Sequence, residues 1–193
     1  MLVLVLGLVV FLGMHSLRIV SEPLRDGLRE RLGPVSWRVV YSLVSALGLA
    51  LIVWGYGLAR QDPMVLWMPP IGMRHAAALL TLVAFVLLVA AYVPGNAIKA
   101  RLHHPMLLGT KVWALAHLLS NGTLADVLLF GGFLLWAVLG FRAARQRDRR
   151  DGTVYGPARM PATVATVVLG IGAWAAFAFW AHAALIGVAP MGR

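Results

Sequence analysis

The sequence predicts an all-α fold, a polytopic bundle of about six membrane helices in a single integral membrane domain over residues 1–193. The chain is 61% hydrophobic and 12% charged, with a mean hydropathy of +0.83, whereas soluble domains carry about 25% charged residues. Several apolar runs reach the roughly 20 residues that span a bilayer core. Glycine- and proline-containing turns separate these runs. The composition therefore leaves no room for a second, soluble domain.

The apolar runs define the expected helices. They cover about residues 1–20, 38–58, 75–95, 105–120, 124–142 and 163–187. The first run has no basic segment before it and no small-residue cleavage site, so we expect a retained helix rather than a signal peptide. The fourth run is short for a membrane span, and a tilted or re-entrant helix is the alternative.

The segment SEPLRDGLRERLG, which follows the first helix, predicts a short amphipathic helix on the membrane surface. Ser21 is a good N-cap, and Pro23 falls in the first turn, where its missing N–H is tolerated. Leu24, Leu28 and Leu32 repeat every four residues, opposite the arginines. An apolar stripe facing a basic one is typical of helices that lie in the interface plane.

Basic residues are distributed unevenly along the chain. The formal net charge is +10, from 17 Lys+Arg against 7 Asp+Glu. Fourteen of the 17 fall in segments 18–38, 98–111 and 142–159, which share one side if there are six spans. The positive-inside rule then predicts a multi-pass protein of the bacterial inner membrane, with both termini outside. Segment 142–159 is expected to be a solvated loop. Because no aromatic–basic interleaving is present, we expect no nucleic-acid partner.

The absence of cysteine limits the possible cofactor sites. With none in the chain, disulfides, Cys-ligated zinc, thiolate haem and iron–sulfur clusters are excluded. A metal site would have to use histidine, carboxylate or methionine. Asp126 is the one acid expected inside a span, which gives little support to a hydrolytic zinc or di-iron site.

Histidines are the main candidates for chemistry. His15, His117 and His182 fall on three different predicted helices, and cofactor sites in bundles are built from facing helices. Two axial histidines and an apolar slot suffice to bind haem iron. The alternative for each is a packing residue that is hydrogen-bonded to a neighbouring helix. His75 is expected to be interfacial.

A basic residue accompanies the first of these histidines. Arg18 follows His15 by three residues and shares its helix face. It is a candidate for pairing with a haem propionate, and the alternative is a positive-inside anchor.

Three motifs together resemble the NnrU family, bacterial membrane proteins associated with denitrification. They are FLGMHSLR in the first helix, HHPMLLGTKVWALAHLLSNG around the fourth, and HAALIGVAP near the end. The resemblance covers nearly the whole chain. It implies a haem b protein of nitric-oxide-linked redox metabolism, in which haem iron is the bound metal and the protein partner is unknown.

The NnrU family is in turn similar to 15-cis-zeta-carotene isomerase, which uses haem b. The haem histidines of that enzyme match His15 and His117, which are therefore the expected metal ligands. Its cysteine, proposed to exchange with a histidine, has no counterpart here. An isomerase-like reaction on a lipophilic small molecule is one implication of this similarity.

Two other functions stay open. His103-His104-Pro105 is similar to the Arg-His-Pro motif of isoprenylcysteine carboxyl methyltransferases, which implies an S-adenosylmethionine-dependent methyltransferase of the membrane. The other is a cofactor-free assembly or transport partner of a denitrification enzyme, in which the histidines only pack.

The depth of the histidines bears on which of them would pair. His117 lies 12 residues beyond Pro105, about 18 Å at 1.5 Å per residue, and His15 lies roughly 6 Å from Ile19. Two ligands of one haem should lie at similar depth, which favours His117 with His182 and His15 with His104. The family resemblance favours His15 with His117, and we adopt this pair.

Overall fold

The computed structural model describes residues 1–191, which form an all-α bundle as predicted. The helices are α1 (Leu2–Val20), α2 (Glu22–Leu32), α3 (Pro34–Ala59), α4 (Met73–Tyr92), α5 (Ala97–Leu102), α6 (Pro105–Ser120), α7 (Leu124–Arg150), α8 (Met160–Ala176) and α9 (His182–Ile186). A π-helical turn, Phe177–Ala181, joins α8 to α9. Within this part of the chain the one β pairing is an isolated bridge between Val65 and Thr123.

Six helices run through the bundle. Five are long and apolar enough to cross a membrane: α1, α3, α4, α7 and the continuous segment Met160–Ile186. The sixth, α6, has only 16 residues. Its first residue borders a cavity with Arg18 and Arg147, and Gly122, just past its end, accepts a hydrogen bond from the Leu66 N–H at 2.8 Å. Because these contacts lie at opposite ends of the bundle, α6 extends from one end of the bundle to the other.

Two helix ends differ from the predicted ones for local reasons. α3 begins at Pro34, four residues before the predicted start, because proline is well tolerated in the first turn. α7 continues to Arg150, although a loop was expected after residue 142. Its last turns consist largely of alanine, arginine and glutamine, which favour helix, and its terminal arginines complement the helix dipole.

The surface helix is confirmed as α2. Ser21 caps it by accepting a hydrogen bond from the Leu24 N–H at 3.2 Å. Glu22, in its first turn, pairs with Arg147 at 3.3 Å and Arg150 at 2.8 Å. These ion pairs attach α2 to the end of α7.

Glycines allow α1 and α3 to pack with their backbones close together. A Cβ built on Gly48 would stand 2.8 Å from the Phe11 nitrogen, and one on Gly55 would stand 2.2 Å from the Leu4 nitrogen. Small residues at such positions are typical of membrane helix pairs. α1 also packs against α7, and α7 against α6. The residues of α1 that face α7 therefore share one interior with α6.

Candidate cofactor site

His15 is held in a defined orientation on α1. Its Nδ1 donates a hydrogen bond to the Phe11 carbonyl at 2.7 Å, which leaves Nε2 as the atom with a free lone pair. Its ring stacks on Phe11, with centroids 4.2 Å apart. Tyr41 of α3 and Trp136 of α7 contact it edge-on, at 5.3 and 6.1 Å. His15 thus lies where three helices meet.

His117 on α6 repeats this arrangement. Its Nδ1 donates to the Trp113 carbonyl at 2.8 Å, and its ring stacks on Phe130 of α7 at 4.5 Å. Histidines that bind metals usually donate their second N–H to such a partner, which fixes the tautomer and the ring orientation. Both imidazoles therefore have the donor chemistry of an axial ligand.

An aromatic cluster links the two histidines. Phe133 of α7 contacts Phe11 at 5.7 Å and Trp113 at 5.5 Å between ring centroids. Phe11 and Trp113 are also the residues whose carbonyls hold His15 and His117. We name Phe11, Trp113, Phe130 and Phe133 the aromatic cluster. It makes the region between the two histidines apolar.

The two histidines lie at different depths in the bundle. Leu107 and Ile19 are level, because side-chain carbons of both stand 3.2 and 3.3 Å from a Cβ built on Gly140. From that level His117 is about 15 Å away and His15 about 6 Å, at 1.5 Å of rise per residue. One iron bound by both would need a haem plane tilted relative to the helix axes. The structure thus keeps the depth difference that the sequence indicates.

Two buried polar atoms near His15 have no hydrogen-bond partner in the described chain. They are Trp136 Nε1 and Ser45 Oγ. Trp136 contacts the His15 ring, and Ser45 follows Tyr41 by one turn of α3. An unpartnered buried polar atom costs about 1–3 kcal/mol, and in native proteins such atoms often mark a functional site. A ligand with polar substituents, such as haem, would satisfy them.

The remaining candidates are Arg18, His182 and His75. The Arg18 guanidinium is exposed and faces Glu22 at 3.7 Å, on the side of His15 that carries the basic residues. His182 begins α9, and its Nδ1 donates to the Val188 carbonyl at 2.7 Å. His75 is exposed at the start of α4.

Asp126, the one acid expected inside a span, has a structural role. It closes a capping box with Thr123 at the start of α7, and it accepts a hydrogen bond from the Tyr56 hydroxyl at 2.6 Å. Among residues 1–191, no three His, Cys, Asp or Glu side chains are placed to hold a metal ion together. A haem site that uses two histidines needs fewer than three such side chains, so this absence does not bear on it.

The structure also forms a polar cluster that sequence analysis missed. Asp148 accepts hydrogen bonds from His104 Nε2 at 2.8 Å and from the Tyr155 hydroxyl at 3.0 Å. The His103 ring packs against Tyr155 in a tilted arrangement, with centroids 4.2 Å apart, and contacts Arg145. Burial and the hydrogen bond to Asp148 raise the pKa of Tyr155 to about 12. The expectation of a solvated loop is therefore wrong for this part of 142–159.

One signal in the sequence was available for this cluster. Asp148 is the first acid after 21 residues without one, within a run of arginines. In the structure this acid pairs with His104.

Comparison with known families identifies the chain. Residues 3–190 match the family described as NnrU protein. Comparisons with curated proteins and with solved structures give no match. The family match extends over nearly the whole chain and includes α1, α6 and the segment after α8. This chain therefore belongs to the NnrU family.

Proposed function

We propose that this protein binds haem b in the bacterial inner membrane and acts in redox or nitric-oxide-linked metabolism during denitrification. His15 and His117 would hold the iron in this proposal. The observation that supports it most is that the two imidazoles make the same hydrogen bond. Each donates Nδ1–H to the carbonyl four residues earlier, at 2.7 and 2.8 Å, and each has Nε2 left for a ligand.

The protein would contribute orientation and an apolar environment. The carbonyls of Phe11 and Trp113 hold the tautomer that exposes Nε2, and they make each imidazole a stronger donor. The aromatic cluster keeps water away from the space between α1, α6 and α7. A bound haem would supply one-electron chemistry between its ferric and ferrous states.

Polar groups around His15 would contact the edge of the haem ring system. Trp136 Nε1 and Ser45 Oγ, both buried without partners, are available to polar substituents. Arg18 is the candidate partner of a propionate, because it follows His15 by three residues toward the basic end of the bundle. Since Glu22 lies 3.7 Å from Arg18, a propionate would compete with that carboxylate.

Redox chemistry is favoured over isomerisation. A ligand exchange that uses cysteine has no basis in a chain without cysteine. An isomerase-like reaction would need a lipophilic substrate beside the iron. No contact among residues 1–191 indicates where such a substrate would bind.

The absorption spectrum of the detergent-purified protein tests the proposal. We expect a Soret band with the low-spin, six-coordinate pattern of two histidine ligands. His15→Ala and His117→Ala should each give a high-spin spectrum or lose the haem. His75→Ala is the matched control, because His75 is exposed and outside the cluster.

Two results would contradict this assignment. If His15→Ala leaves the spectrum unchanged and His182→Ala removes the band, then His182 is the partner of His117 and our pair is wrong. If the wild-type protein stays colourless after reconstitution with haem, the haem proposal itself fails.

A further inference from the structure

A cavity lies at the basic end of the bundle, away from the aromatic cluster. Its volume is about 450 Å³, and its polar lining comes from α1, α5, α7 and the turn before α6. The lining side chains that carry charge or can gain it are Arg18, Lys99, His103, His104, Arg147, Asp148 and Asp151. The positive-inside rule assigns this end to the cytoplasm, so we name it the cytoplasmic cavity.

The charge around the cytoplasmic cavity is positive. Lys99 donates to the backbone carbonyl of Ala91 at 2.9 Å, a contact that leaves its charge uncompensated. Arg147 shares Glu22 with Arg18 and Arg150, so one carboxylate serves three guanidinium groups. Cations gathered at the cytoplasmic membrane surface attract anionic groups.

Both carboxylates in the wall, Asp148 and Asp151, already have partners, and Asp151 pairs with Arg150 at 2.8 Å. Asp148 accepts hydrogen bonds from His104 and Tyr155, and its side chain is only 14% exposed. Its charge therefore repels an incoming anion less than an open carboxylate would.

The start of α6 adds hydrogen-bond donors to the same wall. Pro105, Met106 and Leu107 line the cytoplasmic cavity, and no side chain caps this helix. The first N–H groups of a helix have no intrahelical partner, and the helix dipole makes this end positive. Phosphate groups bind at helix starts for both reasons.

The geometry points to a binding site for a phosphate group in the cytoplasmic cavity. We propose that Lys99 and Arg147 pair with its oxygens and that the start of α6 donates backbone hydrogen bonds. The phosphate has two chemically equivalent sources, the head of an anionic phospholipid or a soluble phosphate ester. Apolar wall residues such as Leu107 and Ala144 would contact the carbon chain of a lipid.

Paired double variants test this site without reference to any haem. In Lys99→Gln/Arg147→Gln both proposed phosphate ligands lose their charge. Arg101→Gln/Arg149→Gln removes the same charge from the same two helices, at exposed positions outside the cavity lining. The delipidated, full-length proteins are titrated with short-chain phosphatidylglycerol, short-chain phosphatidylcholine, glycerol 3-phosphate and S-adenosylmethionine. Native mass spectrometry measures the bound fraction.

Each outcome decides the proposal. We expect phosphatidylglycerol or glycerol 3-phosphate to bind the wild type and the control equally, and to bind Lys99→Gln/Arg147→Gln at least about tenfold more weakly. Phosphatidylglycerol alone identifies a lipid head, and glycerol 3-phosphate alone a soluble ester. Three results would overturn the phosphate site. They are an equal loss of affinity in both double variants, equal binding of phosphatidylcholine and phosphatidylglycerol, and binding of S-adenosylmethionine alone.

Discussion

The close packing of α1 against α3 predicts that Gly55→Ala destabilises the bundle, whereas Gly57→Ala does not. Both glycines lie in α3, two residues apart. A Cβ on Gly55 would stand 2.2 Å from the Leu4 nitrogen and 2.6 Å from its Cα, and a Cβ on Gly57 would meet nothing within 4 Å. Because the first clash is with backbone, no side-chain rotation can relieve it.

The size of the effect follows from these distances. Ordinary contact starts at 3.4 Å, so α1 would have to move away by about 1.2 Å near Leu4, which lies in the buried core. Overpacking of this kind costs about 1–3 kcal/mol. Both substitutions gain about 1 kcal/mol of helix propensity. That gain cancels in the comparison, so Gly55→Ala should be about 1–3 kcal/mol less stable than Gly57→Ala.

The free energy of unfolding in mixed detergent micelles measures this difference. The circular dichroism of both folded variants should show the wild-type helix content, because neither substitution breaks a helix. Equal stabilities of the two variants, within about 0.5 kcal/mol, would refute the close α1–α3 contact on which the position of His15 depends.

Two more predictions concern α7 and the topology. Asp126→Ala removes the capping box and leaves the partly buried Tyr56 hydroxyl without its acceptor. The free energy of unfolding should therefore fall by about 1–3 kcal/mol. Asp62→Ala, in an exposed loop, is the control, and an equal effect of both substitutions would refute the role of Asp126. Reporter fusions after Arg145 and at the C-terminus should lie on opposite sides of the membrane, because Met160–Ile186 crosses it between them; the same side for both would contradict six spans.

The helices were predictable because apolar composition and turn residues carry most of the information. Proline and glycine residues mark the end of α4 and the start of α6, and both lie within three residues of their predicted places. The extension of α7 was not predictable in this way, since a charged helix has no apolar stripe. The contact that attaches its end to α2 is also distant in sequence, because Glu22 is 128 residues from Arg150.

The candidate site was likewise predictable only in part. The residue types of His15 and His117, and their different depths, follow from the sequence and the helix rise. The partnerless Trp136 and Ser45 atoms do not, because they depend on how α1 lies between α3 and α7. Tyr155 reaches Asp148, seven residues earlier, across the turn that follows α7, a contact that no periodic pattern indicates. Haem binding by His15 and His117 stays a prediction.

The short length of α6 has a consequence for the surrounding membrane. Its 16 residues measure about 24 Å, and a bilayer core is about 30 Å thick. Lipids beside α6 must thin locally, or the neighbouring helices must shield its ends, to offset a mismatch of about 6 Å. Thinning would draw lipid headgroups inward at the start of α6, where the polar turn His103-His104 lies. The affinity of the bundle for a membrane should therefore vary with acyl-chain length, and short chains should favour it.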